Sequence, residues 1–196
     1  ASALHDIGKI SISDSILNKP GRLTAEEFEV IKTHSIVGAN ILLDLPIEQQ
    51  EAPLVKMAAE ICRWHHERYD GNGYPDGLKG EEIPIAAQVV ALADVYDALT
   101  SERCYKKAYS HEEALKMILE GQCGAFNPIL LLCLQEIADI LESELLDASP
   151  EQETKNIQDI RNKIDYDRLF PYEKDTFLSS KQRHLQLLYI DSLTGI

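Results

Sequence analysis

Apolar positions recur at helical rather than strand spacing along most of the 196 residues. Phe28, Ile31, Ile36, Ile41, Leu42 and Leu45 mark one amphipathic helix, and Thr24 followed by Glu27 supplies a capping box at its start. Pro46 and Pro53 punctuate the chain ahead of a second helix from about Leu54 to His66, with Val55, Ala58, Ala59, Ile61 and Cys62 as mostly small contacts. A third begins at Pro84, which a first turn accepts, and runs through Val89, Val90 and Leu92 to Leu99. Its β-branched pairs leave a strand as the alternative. Ser110 with Glu113 predicts a further capped helix ending near Gly121, and Pro128 to about Leu146 predicts another. Ser149-Pro150 starts one more, and residues 174–189 carry Phe177, Leu185 and Leu188 on a narrow stripe. The pattern predicts an all-α fold: a compact multi-helix bundle to about residue 146, then a helical extension.

The segment ERYDGNGYPDGLKGEEI, residues 67–83, breaks the periodicity. It holds Asp-Gly, Asn-Gly and Tyr-Pro steps, which are strong turn signals. A loop this long between two helices is a candidate for function. Gly71, Gly73 and Gly77 are also readable simply as permitting tight turns.

Charge narrows the partners. With 19 Lys+Arg against 33 Asp+Glu the formal net charge is −14, which argues against binding a nucleic-acid polymer or an anionic membrane. Any phosphate compound must therefore be met by local cations or bound metal. The four cysteines, Cys62, Cys104, Cys123 and Cys133, form no Cys-x-x-Cys pair, so neither a disulfide framework nor a structural zinc knot is expected; a reducing cytoplasm suits them. The longest apolar run, Ile129 to Leu134, is far short of the roughly 18 residues of a membrane span.

Histidine carries the chemistry. Of the six, His5, His34, His65 and His66 lie in the first half, with His5-Asp6 and His65-His66 as adjacent pairs. Neighbours on a helix project about 100° apart, so each pair addresses two nearby points rather than chelating one. That arrangement suits two metal ions, with imidazole and a bridging carboxylate fitting Zn, Fe or Mn. His111 and His184 read as satisfied or solvated.

These residues carry a resemblance. His5-Asp6-Ile7-Gly8-Lys9-Ile10 resembles the doublet motif of the HD superfamily of metal-dependent phosphohydrolases. HHERYDGNGYPDGLKGEEIP, with its Gly73-Tyr74-Pro75, is similar to the signature of the HD-GYP subfamily, as are ALADVYDALTSERCYKKA and Phe126-Asn127-Pro128. The match runs from residue 4 to about residue 134. It implies a cyclic di-GMP phosphodiesterase giving linear pGpG or GMP. It also implies two divalent ions (Fe, Mn or Zn) held by His5, Asp6, His34, His65, His66 and Asp94, with Asp6 bridging. The implied mechanism is in-line attack by a metal-held hydroxide. Lys9 would place an ammonium on the phosphate, Arg103 and Lys106 would clamp the other phosphate or a guanine edge, and Gly73 and Tyr74 would face the substrate. Asp97 reads as a capping or supporting group, Lys107 as solvated and Trp64 as core.

Two features depart from or extend that pattern. The family carries a further metal histidine on a helix ahead of the doublet, which implies here a domain lacking that helix; Cys104 also stands where proline is common. Tyr189-Ile190-Asp191-Ser192-Leu193-Thr194-Gly195-Ile196 resembles the opening of GGDEF domains. The expected organisation is an HD-GYP domain over 1–146, a linker over 147–190 and the start of a GGDEF domain over 191–196. The helix over 174–189 is expected to project or to pair with a second copy as a homodimer. Rival expectations are a catalytically weak cyclic di-GMP sensing module and an HD hydrolase of another nucleotide.

Overall fold

Local side-chain capping marks where three of the helices of eight or more residues begin. In this computed structural model, which describes residues 2–102 and 107–146 with 156 and 159, helices and turns account for all regular structure among the described residues. Short 3-10 turns at Ser2–Leu4 and Ile7–Ser11 precede α1 (Asp14–Leu17). Then come α2 (Ala25–Leu43), α3 (Ile47–Gln50), α4 (Pro53–Trp64), a 3-10 turn at Gly80–Glu82 and α5 (Ile85–Thr100). α6 (His111–Leu119), α7 (Pro128–Glu136) and α8 (Ala138–Leu146) follow. The all-α expectation holds, and the segment after Pro84 is helix rather than strand.

Both expected capping boxes form. The Thr24 hydroxyl accepts from the Glu27 amide at 3.2 Å while the Glu27 carboxylate accepts from the Thr24 amide at 2.7 Å. Ser110 and Glu113 do the same at the start of α6, at 3.3 and 3.0 Å. Asn127 caps α7 by accepting the Ile129 amide at 2.9 Å.

The buried face of α2 differs from the expected stripe. Phe28, Ile36 and Ile41 are exposed, and His34, Ser35, Gly38, Ala39 and Leu42 face inward. Small residues at these positions let α2 approach α4 and the Ile7–Ser11 turn closely, whereas a row of large aliphatics would hold them apart. Ala39, Leu42, Ala58, Ala59 and Cys62 form the shared core, with Ile7, Leu45 and Val55 packed against it. The expected helix from Pro128 to Leu146 is broken at Ile137, where φ −103° and ψ 7° leave the helical region, giving α7 and α8.

Among the described residues the chain divides at α5 into two compact units, one up to Asp94 and the other from Val95 onward. In the first, Met57 and Ile61 of α4 pack on Val90 of α5. In the second, Leu99, Ala114, Ile118, Leu134 and Ile140 are buried. The expectations for residues 147–190, for the helix over 174–189 and for residues 191–196 fall outside the described residues, residues 156 and 159 apart.

Candidate metal centre

Three histidines are aimed by their own backbone. His5 Nδ1 lies 2.7 Å from Ser2 O, His34 Nδ1 2.6 Å from Ile31 O, and His65 Nδ1 2.9 Å from Ile61 O. A carbonyl only accepts, so each Nδ1 carries the proton and donates. In the neutral ring the Nε2 lone pair is then turned into the site, the tautomer a metal ligand needs.

Those Nε2 atoms meet at Asp6. Oδ1 of Asp6 stands 3.3 Å from His34 Nε2 and 3.9 Å from His65 Nε2, and the two ring nitrogens are 3.4 Å apart. Oδ2 faces the other way, 3.2 Å from His5 Nε2, and accepts a hydrogen bond from the Lys9 ammonium. His5 Nε2 in turn lies 3.8 Å from Asp94 Oδ1. One ligand atom from each of Asp6, His34, His65 and His66 fits within 4.8 Å. The geometry thus brings His5, Asp6, His34, His65, His66, Asp94 and Lys9 together.

The electrostatics match a cation site. Asp6 Oδ1 is buried and makes no hydrogen bond, because the nearest histidine nitrogens present lone pairs rather than protons. Burial pushes the Asp6 carboxyl up, but its His34, His5 and Lys9 neighbours outweigh it and hold the group far below the usual carboxylate range. Burial pushes His65 down to about 4 and His66 to about 2, keeping both rings neutral. His5 goes the other way, its imidazolium stabilised by the hydrogen bond to Asp6. The Asp6 oxygen that faces the lone pairs of His34 and His65 is stable around a divalent ion, and this donor set fits one.

The 67–83 loop is fastened from α4. Arg63 makes a bidentate bond to Asp76 at 2.7 and 2.9 Å, and the Trp64 indole N–H adds a third to the same carboxylate at 2.8 Å. Trp64 is therefore a half-buried clamp rather than core. Tyr74 of this loop stacks on His66 with centroids 4.7 Å apart, which carries the loop to the edge of the histidine cluster. Gly73 sits where a Cβ would stand 2.4 Å from Glu67 Cα, so only glycine fits that crossing.

Sequence reasoning passed over Glu67. It is 5% exposed, and its Oε1 accepts the Asp76 and Gly77 amides at 2.7 and 3.0 Å. A carboxylate directly after the His pair and ahead of a glycine-rich loop was the available signal. Asp97 accepts from Ser101 at the end of α5 at 3.1 Å, Lys107 is exposed, and His111 is bonded to the Tyr96 hydroxyl at 2.7 Å. Arg103, Cys104 and Lys106 lie outside the described residues.

With this site in view, residues 1–128 match the family model described as HD domain. The chain belongs to the HD domain family. It is 47% identical over 137 residues to a probable cyclic di-GMP phosphodiesterase of Vibrio cholerae, covering 67% of this chain and 30% of that protein. It is 45% identical over 148 residues to a cyclic di-GMP phosphodiesterase of Thermotoga maritima, covering 74% and 39% respectively. A 3'3'-cGAMP-specific phosphodiesterase of Vibrio cholerae is 40% identical over 136 residues, covering 69% and 25%. The HD domain chain thus spans well under half the length of these curated relatives. No helix among its described residues is long and apolar enough to cross a membrane.

Proposed function

We propose that this HD domain is a metal-dependent phosphodiesterase that hydrolyses cyclic di-GMP to pGpG or GMP. The observation that carries it is the buried, unbonded Asp6 Oδ1 facing the Nε2 atoms of His34 and His65. Relatives named as cyclic di-GMP phosphodiesterases at 45–47% identity support the substrate.

Two divalent ions (Fe, Mn or Zn) held by His5, Asp6, His34, His65, His66 and Asp94 would polarise the phosphate and supply a hydroxide at neutral pH. Asp6 suits the bridging position because its two oxygens face opposite groups, His34 with His65 and His5. Lys9, held beside Asp6, brings a positive charge to where phosphate oxygens gain negative charge in the transition state. Arg103 and Lys106 are proposed to bind the second phosphate or a guanine edge, and Gly73 and Tyr74 to wall the substrate side. A GGDEF domain following in the same parent chain, and a homodimer, complete the proposed assembly.

The test is turnover of cyclic di-GMP by metal-loaded protein, followed by chelation and re-addition of Mn, Fe or Zn. Loss on chelation and recovery on re-addition is expected. Metal-loaded protein that binds cyclic di-GMP without cleaving it would overturn the enzymatic reading. Relatives named 3'3'-cGAMP-specific favour one second reading, a mixed purine dinucleotide as substrate, and preferential turnover of 3'3'-cGAMP would establish it.

A further inference from the structure

Outside the histidine cluster, α2 presents an aromatic ring and a cation that no part of the metal chemistry uses. Phe28 is 44% exposed although it is among the largest apolar side chains of the helix. Its ring meets Tyr74 edge-on, 6.3 Å between centroids at 81°. Lys32, one turn further along, places Nζ 5.0 Å from the Phe28 centroid and 5.5 Å from that of Tyr74. Tyr74 itself stacks on His66. The rings therefore step outward from the cluster, His66 to Tyr74 to Phe28, and end on an exposed face with an ammonium over it.

We infer that Phe28 and Lys32 form the nucleobase platform of this site, with Phe28 stacking a purine and Lys32 reading its edge. The inference rests on the proposed function. An exposed ring beside a phosphate-cleaving centre suits any base, because every base has a π face. Lys32 adds a choice between purines. Its ammonium carries three donors, one of them given to Glu29 at 2.6 Å, which leaves two for acceptors. Guanine offers O6 and N7 together, whereas adenine sets an amino donor beside N7. The bond to Glu29 and the two rings hold the ammonium in place, so little side-chain freedom remains to be lost on binding.

The test uses equilibrium titration of the metal-loaded full chain with GMP, AMP and ribose 5-phosphate. The unaltered protein is expected to bind GMP more tightly than either of the others. Phe28→Ala should lower GMP affinity roughly tenfold while ribose 5-phosphate affinity holds. Lys32→Met, which keeps the aliphatic stem, should bring GMP and AMP to parity. GMP affinity unchanged in both variants, or GMP and ribose 5-phosphate weakened equally, would overturn the platform. Failure of the protein to turn over cyclic di-GMP would instead remove the proposed function, and the titrations would still decide the base contact.

Discussion

Gly8 and Gly38 meet backbone to backbone. A Cβ on Gly8 would stand 1.9 Å from His34 O and 2.6 Å from Gly38 N, while one on Gly38 would meet Gly8 N at 3.2 Å and the Ile7 side chain at 3.3 Å. This crossing presses the turn that carries Asp6 onto the helix that carries His34. The two substitutions should therefore differ sharply. Gly8→Ala cannot be relieved by a side-chain movement and should cost about 3 kcal/mol or more. Gly38→Ala gains helix propensity against a tight contact and should stay within about 1 kcal/mol of the parent. Urea unfolding of both variants checks the contrast; equal destabilisation would show that the crossing is not the constraint.

Glu67 anchors the 67–83 loop through one oxygen. Oε1 holds two amides, whereas Oε2 is buried with no hydrogen-bond partner. Glu67→Ala would strand the Asp76 and Gly77 amides and should cost about 2 kcal/mol. Glu67→Gln keeps a carbonyl acceptor for them and should lose less than half as much. Faster proteolytic cleavage within residues 67–83 in the alanine variant but not the glutamine variant would support this role. Identical protease sensitivity of the two would reject it.

The parts legible in the sequence are those set by short-range chemistry. Thr24 with Glu27 and Ser110 with Glu113 lie three residues apart, so their helix starts depend on nothing distant. The inward face of α2 depends on what packs against it. Phe28, Ile36 and Ile41 make the more obvious stripe, yet Gly8 demands backbone contact at Gly38, and that rotates His34, Ser35 and Ala39 inward. The break at Ile137 has no glycine or proline to announce it. At the site, the His-Asp and His-His doublets are visible as residue pairs. Their aim is set by the carbonyls of Ser2, Ile31 and Ile61, which no spacing rule displays. Glu67 escaped for the same reason: a carboxylate in a polar loop reads as solvated until its burial is seen.

Cys62 gives a pH dependence whose sign is fixed. It is fully buried, and burial followed by the nearby Asp6 charge pushes its thiol up from 9.0 to about 11. Between those values the unfolded chain releases a proton that the folded chain keeps. Stability from this group is therefore whole below about pH 9 and falls as pH rises toward 11, by about 1.4 kcal/mol per pH unit. Other groups titrate in the same range, so the readout is the difference in slope between the parent and Cys62→Ala. Parallel pH profiles would contradict it. Iodoacetamide at pH 8 should likewise leave Cys62 unmodified in the folded protein and label it in urea.

Asp6→Asn separates the metal role of this carboxylate from its structural one. In the metal-free protein the amide can point its oxygen at the Lys9 ammonium and His5, and its NH2 at His34 Nε2, 3.3 Å away from the present oxygen. A donor would then face the histidine lone pairs where an unbonded acceptor now stands, so the fold should be kept within about 1 kcal/mol. Metal binding should suffer instead, because the amide removes the negative charge that stands between His34, His65 and His5. A loss of at least tenfold in affinity for Mn or Zn, measured by titration, is expected alongside unchanged helical circular dichroism. Wild-type metal affinity in a folded Asp6→Asn protein would show that the carboxylate does not bridge, and the two-ion arrangement would have to be abandoned.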